Sequence, residues 1–216
     1  MRERAKLFVA IFAVCFAAMA MLPAAALAEG MAKNIIFMVP DGMGLSNVTA
    51  TRIFKNGPNG DPLYLETLPV IGYQRTHAAN STVTDSAAAA SAWACGEKYN
   101  NNEVSCHDND RDGVCDSTPV KTILELAKQK GKATGLVATS TITHATPAVW
   151  GAHVHYRNCE TEIARQYIEE TGVDVLLGGG IGADRSCLTL SPKTIPQLIA
   201  EAQTPAYGYT YFTGKA

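Results

Sequence analysis

The chain carries no basic excess: 18 Lys and Arg stand against 20 Asp and Glu, for a formal charge of −2. That balance lacks the positive field that nucleic acid demands, and nucleic-acid binding is not expected. No internal repeat is present, and no low-complexity stretch beyond a run of alanines, so repeat architectures are excluded. Histidine is absent from residue 161 onward, which leaves the last quarter of the chain without an imidazole ligand. Charge is absent from Leu7 to Ala28. Arg2, Arg4 and Lys6 precede that run, and Ala26-Leu27-Ala28 closes it. A basic start, an apolar middle and a small-x-small end make a signal peptide, with cleavage expected before Glu29. The run is also long enough for an uncleaved anchor, but Pro23 and the Ala-rich end favour cleavage. The expectation is therefore an exported protein, periplasmic or extracellular, with no stable membrane anchor after cleavage. Losing three basic groups and one acidic one moves the charge from −2 to −4.

What remains has the size of one ordinary domain, or of the first part of a larger one. Export permits disulfides. Cys106 and Cys115 bracket one loop, Cys159 and Cys187 bracket a helix and a strand, and Cys95 is left over. That pairing is one choice among several, since spacing alone does not fix connectivity.

Along the chain, short apolar runs alternate with helical spacing. Strands are predicted at 34–39, 70–73, 135–139 and 173–177. Helices are predicted over Leu45–Asn56, after Asp85, from Pro119 to a stop at Gly131, from Pro147, over Thr161–Thr171 and over Thr194–Gln203. Residues 97–118 form a polar insert. The order implies an α/β fold with a mainly parallel central sheet and helices on both faces. Nothing at Thr210–Ala216 marks a finished C-terminal element.

The stretch Thr82–Trp93 reads as a loop entering an Ala-rich helix, with Asp85 and Ser86 at the N-cap. Ser86 then faces the positive end of the helix, where exposed N–H groups favour an anion. Ligands in open α/β sheets gather at the carboxyl ends of strands, and two other candidates belong at that edge. Asp41 follows the first strand between Pro40 and Gly42. His144-Ala145-Thr146-Pro147 follows the strand at 135–139, with Arg157 further on. A carboxylate and a threonine hydroxyl suit a hard cation. A guanidinium suits two oxygens of one phosphate. Each residue also has an ordinary reading as a helix cap or surface ion pair. Their shared edge is what separates the two. His153 and His155 are read as structural.

Val39-Pro40-Asp41-Gly42-Met43-Gly44, the Thr82–Trp93 stretch, Ala145-Thr146-Pro147-Ala148 with Ala152-His153 and Arg157, and Leu177-Gly178-Gly179-Gly180 occur in this order. In order and spacing they resemble the alkaline phosphatases over roughly residues 33–190, so that 29–216 is similar to the N-terminal part of such a domain, incomplete at its C-terminus. The resemblance implies a metal-dependent hydrolase of small phosphate monoesters with a phosphoserine intermediate at Ser86. It implies Arg157 on the non-bridging phosphate oxygens, Asp41 bridging zinc and magnesium, Thr146 at the magnesium and a homodimer at full length. His144 stands where some members carry an aspartate near the magnesium, which predicts an altered magnesium affinity. The remaining zinc ligands of the family have no counterpart here, so activity of this chain alone is doubtful. A related phosphomutase or sulfatase is disfavoured by Asp85-Ser86-Ala87-Ala88 and Arg157.

The insert holds a separate pattern. Asp108, Asp110, Asp112 and Asp116 alternate around Gly113. Carboxylates at alternate positions with Gly at the sixth wrap oxygen around calcium, and the run resembles the loops of thrombospondin type-3 repeats and EF-hands. Pro119 stands where an EF-hand needs Glu. The other reading of the whole chain follows from this loop: a catalytically inactive secreted fragment that binds calcium or a partner through residues 106–116.

Overall fold

The computed structural model describes residues 32–180, 187 and 192–213; the predicted signal peptide lies outside them. Among the described residues no helix is long and apolar enough to cross a membrane. The residues up to Val39 form one compact unit and those from Pro40 onward another. The second carries all the elements below.

Helix α1 spans Leu45–Asn56 and α2 spans Ser86–Cys95. The Asp85 carboxylate caps α2 by accepting from the Ala88 amide at 2.9 Å, and Gly96, at φ +83°, turns the chain out in the left-handed region. Helix α3 spans Ile123–Gln129. Pro119 does not open it: Thr122 does, because its hydroxyl accepts from Glu125 N while the Glu125 carboxylate accepts from Thr122 N. A reciprocal pair of caps outweighs the preset φ of a proline three residues earlier.

Strand β1 (Gly135–Thr141) leads through α4 (Ala145–Ala148) and α5 (Glu160–Gln166) to strand β2 (Val175–Gly179). Helix α4 begins two residues before Pro147, not at it. After α5 the chain unwinds into one wider π turn, Tyr167–Thr171, ended by Gly172 at φ +61°. The two strands pair in parallel, Gly135 with Val175 and Val137 with Leu177. Helix α6 (Ile195–Ala202) follows.

The expected α/β architecture with a parallel sheet is present. The expected strands at 34–39 and 70–73 do not form among the described residues. A run of apolar, β-branched residues only becomes a strand when a neighbour accepts its N–H and C=O groups. Among the described residues neither run joins a strand ladder.

The core lies where α2 meets α4. Ala87, Ala90 and Ala94 pack against Ala145, Ala148 and Val149, with Ile163, Tyr167 and Val173 behind them. Alanine on both sides lets the helix backbones approach closely. Gly151 serves the same end: a Cβ there would lie 3.1 Å from the Tyr167 ring. Val104 and Val154 exchange backbone hydrogen bonds of 3.0 and 2.9 Å, which fastens the insert to this core. Disulfides join Cys106 to Cys115 and Cys159 to Cys187, leaving Cys95 free.

Candidate active site at the N-terminus of the alanine helix

Three loops converge where α2 begins. The α2 loop brings Asp85 and Ser86. The segment after β1 brings His144 and Thr146. The stretch before α5 brings Arg157. Asp85 is the hub. One carboxylate oxygen caps Ala88, and the other accepts from the Arg157 guanidinium at 3.0 Å and from Asn102 N at 3.0 Å. Its own amide donates to Asn101 Oδ1 at 2.9 Å. Arg157 is held again at its backbone, where its amide donates to Asn102 O at 2.8 Å.

The second fork of Arg157 reaches His144 Nε2 at 3.0 Å. A guanidinium can only donate, so His144 accepts there as a neutral ring with its proton on Nδ1. Thr146, two residues on, donates its hydroxyl to Asp41 Oδ2 at 3.0 Å. The sequence-predicted residues thus fall into two sets: Arg157 with His144, tied through Asp85 to the turn that carries Ser86, and Thr146 with Asp41. His144 Nε2 is committed to Arg157 and not to the Asp41–Thr146 pair.

Ser86 is half-buried. Among the described residues no side chain holds its hydroxyl, which leaves it free to turn toward a ligand at the helix end. Cys95, the other candidate nucleophile in this region, is disqualified: burial pushes its thiol above the ordinary value, away from the reactive thiolate.

Asn101 and Asn102 escape sequence reasoning. They sit in the insert, which reads as a polar appendage. Asn102 adopts φ +78°, a conformation asparagine tolerates better than most residues, and the run Asn100-Asn101-Asn102 was the available signal. Asp85 appears in the sequence as a cap; its second role, anchoring Arg157, is tertiary.

A hard cation and zinc fit these residues differently. Asp41 and Thr146 offer two oxygens 3.0 Å apart, a donor set suited to magnesium. Zinc takes three or four nitrogen, sulfur or carboxylate ligands. Among the described residues only one carboxylate, Asp41, stands beside Thr146, and no cluster of three such side chains forms there. The residues do not fit a zinc site. His155, Cys159 and Cys187 do cluster elsewhere, but the two sulfurs are spent in their disulfide.

The family model described as alkaline phosphatase matches residues 32–186, most of the chain. The chain belongs to the alkaline phosphatase family. Alkaline phosphatase 3 of Bacillus subtilis is 44% identical over 162 residues, which are 68% of this chain and 32% of that protein. The crystal structure of a cold-active alkaline phosphatase from a psychrophilic Shewanella superposes with TM-score 0.66 at 32% identity, over 82% of this chain and 40% of the other. A histidine-to-glutamate mutant of TAB5 alkaline phosphatase, described with Mg bound in the M3 site, superposes with TM-score 0.61 at 36% identity, over 76% and 43%. This family member therefore spans well under half the length of the relatives it matches.

Proposed function

We propose that the whole protein is an exported phosphate monoester hydrolase whose nucleophile is Ser86. The observation that carries this reading is the Asp85–Arg157 pair at the start of α2, 3.0 Å apart beside the serine. It sets a cation and a helix N-terminus on the same spot.

In this reading the phosphate enters between Ser86 and Arg157. Ser86 Oγ attacks phosphorus, a new O–P bond forms, and the bond to the alcohol oxygen breaks. The alcohol leaves with the proton that the Ser86 hydroxyl gives up, and water later attacks phosphorus, breaks the Oγ–P bond, returns a proton to Oγ and releases inorganic phosphate. The first amides of α2 point at the incoming anion and balance part of its charge. Arg157 grips the non-bridging oxygens, on which charge is spread in the transition state. Asp85 keeps the guanidinium in place before substrate arrives, so little ordering is needed on binding. Asp41 and Thr146 would hold magnesium, which would supply fixed positive charge beside the phosphate. A relative described with Mg bound makes magnesium the ion to test there. No step is assigned to zinc.

The test uses the whole protein and a phosphate monoester such as p-nitrophenyl phosphate. Rapid acid quench followed by peptide mapping should find phosphate on Ser86. Ser86→Ala should lose at least a thousandfold in turnover, the scale on which removing an activated nucleophile acts, with an unchanged melting temperature. Turnover that survives the substitution, or label at another residue, ends the proposal.

A further inference from the structure

The Cys106–Cys115 loop gathers three carboxylates. Single oxygens of Asp108, Asp110 and Asp116 lie within 4.8 Å of one another. One oxygen of each carboxylate already accepts a backbone amide. Asp108 Oδ2 accepts from Gly113 N at 3.2 Å, Asp110 Oδ1 from Asp112 N at 3.3 Å, and Asp116 Oδ2 from Asn109 N at 2.9 Å. One oxygen stands apart. Asp108 is only 8% exposed, and its Oδ1 is buried with no hydrogen-bond partner at all. Among the described residues no basic side chain pairs with any of the three. A buried carboxylate oxygen without a donor is costly, and neighbouring like charges raise the cost. A cation among the three oxygens removes both penalties.

We propose that this loop is a calcium site, independent of the phosphatase reading. Its protein ligands are Asp108, Asp110 and Asp116, and solvent completes the shell. The alternating carboxylates with Gly113 at the sixth position favour calcium, which takes roughly six to eight oxygens in a flexible shell, over magnesium, which demands a near-ideal octahedron. Asp112, predicted as a ligand from its alternate position, is not in the cluster. Its carboxylate instead accepts from Val114 N at 2.8 Å and shapes the turn at Gly113, which has φ +89°.

The loop is wired to the serine site. The Asp108 amide donates to Glu103 Oε1 at 3.3 Å, and Glu103 Oε2 accepts from Asn100 N at 2.8 Å. The next two residues, Asn101 and Asn102, are those that bind Asp85. An ion that fixes Asp108 therefore braces the strap holding Asp85 and Arg157.

Calorimetric titration of the chelator-stripped, disulfide-intact whole protein with calcium chloride tests the proposal, alongside melting temperature with and without the ion. The expected result is binding that Asp108→Asn and Asp110→Asn each weaken at least tenfold, with Asp112→Asn far less affected. Calcium at 100 times its dissociation constant should raise the melting temperature of the whole protein by roughly 2–4 °C. Asp110 is exposed, so Asp110→Asn keeps the test alive if Asp108→Asn does not fold. Absence of heat and of a thermal shift up to about 10 mM calcium overturns the site, taking about 1 mM as the weak limit for extracellular modules. A response that survives Asp110→Asn, or is lost equally in Asp112→Asn, overturns the ligand assignment.

Discussion

Residues 45–75 and residues 77–173 are both rich in apolar side chains, and their fates are opposite. Helix α1 buries none of its residues, although Leu45, Ile53 and Phe54 ride on it. Phe54 is 94% exposed and Tyr73 92%. Helix α2 is built mostly from alanine, among the smallest apolar side chains, and buries five residues. The contrast teaches that apolar content is not burial. Alanine is buried because α4 meets it face to face. The larger side chains of α1 meet nothing comparable among the described residues.

Three pairs of substitutions test that contrast, beginning with the largest effect. Ile163→Ala in the core should lower unfolding free energy by about 2–5 kcal/mol, since a fully buried side chain leaves a cavity. Phe54→Ala should change it by less than about 0.5 kcal/mol. Denaturant titration of both decides. A cost above about 2 kcal/mol for Phe54→Ala would show that the working protein buries it.

The caps give a medium effect. Thr122 is buried, caps α3, and also donates its hydroxyl to Trp150 O at 2.5 Å. Thr122→Val should cost about 2 kcal/mol, from a lost cap and an unpaired buried carbonyl. Asn47, on exposed α1, accepts from Gly44 N at 2.9 Å. Asn47→Ala should cost about 0.5 kcal/mol. Thermal melts of the two variants should keep that order.

Ion pairs give the smallest effect, and pH separates them. Burial pulls the His153 imidazole down, but its bonds to the Glu125 carboxylate and to Ser105 O win, and its pKa is raised from 6.5. Burial pushes Glu125 up, yet His153 and the Thr122 amide hold it below 4.5. The raised histidine contributes fully below pH 6.5, and its contribution fades as pH climbs through the folded value. The lowered glutamate contributes fully above pH 4.5, and its contribution is lost as pH falls through the folded value. Both contributions are therefore complete between about pH 4.5 and 6.5. Glu125→Gln should cost about 1 kcal/mol in that window and less at pH 9. The Arg52–Glu66 pair of the exposed region, at 3.3 Å, should give less than about 0.5 kcal/mol for Glu66→Gln. A flat pH profile for Glu125→Gln would dissolve the distinction.

Part of the candidate site's local geometry was legible. Asp85 as a cap, Ser86 at a helix start and Thr146 beside Pro147 are local signals, because a cap and the amides it serves lie within a few residues. Both disulfide pairings follow the simplest bracketing of loops. The linkage of Arg157 to Asp85 spans 72 residues, and that of Thr146 to Asp41 spans 105. No local pattern encodes such distances; only the folded chain brings them together. Asn101 and Asn102 were hidden for the same reason, since their partner lies outside the insert. Family resemblance suggested the roles proposed for Arg157 and Asp41, which composition and spacing could not.

By itself the sequence determined what neighbouring residues decide among themselves: the ends of α1, the capped start of α2, the left-handed stop at Gly96 and the turn-forming acidic loop. Tertiary structure alone decided which apolar runs became strands, since a strand exists only through the neighbour that pairs with it. It also decided which carboxylates met. Asp112 carries the same chemistry as Asp108, yet backbone geometry aims one at an amide of its own turn and leaves the other with a buried, unpartnered oxygen.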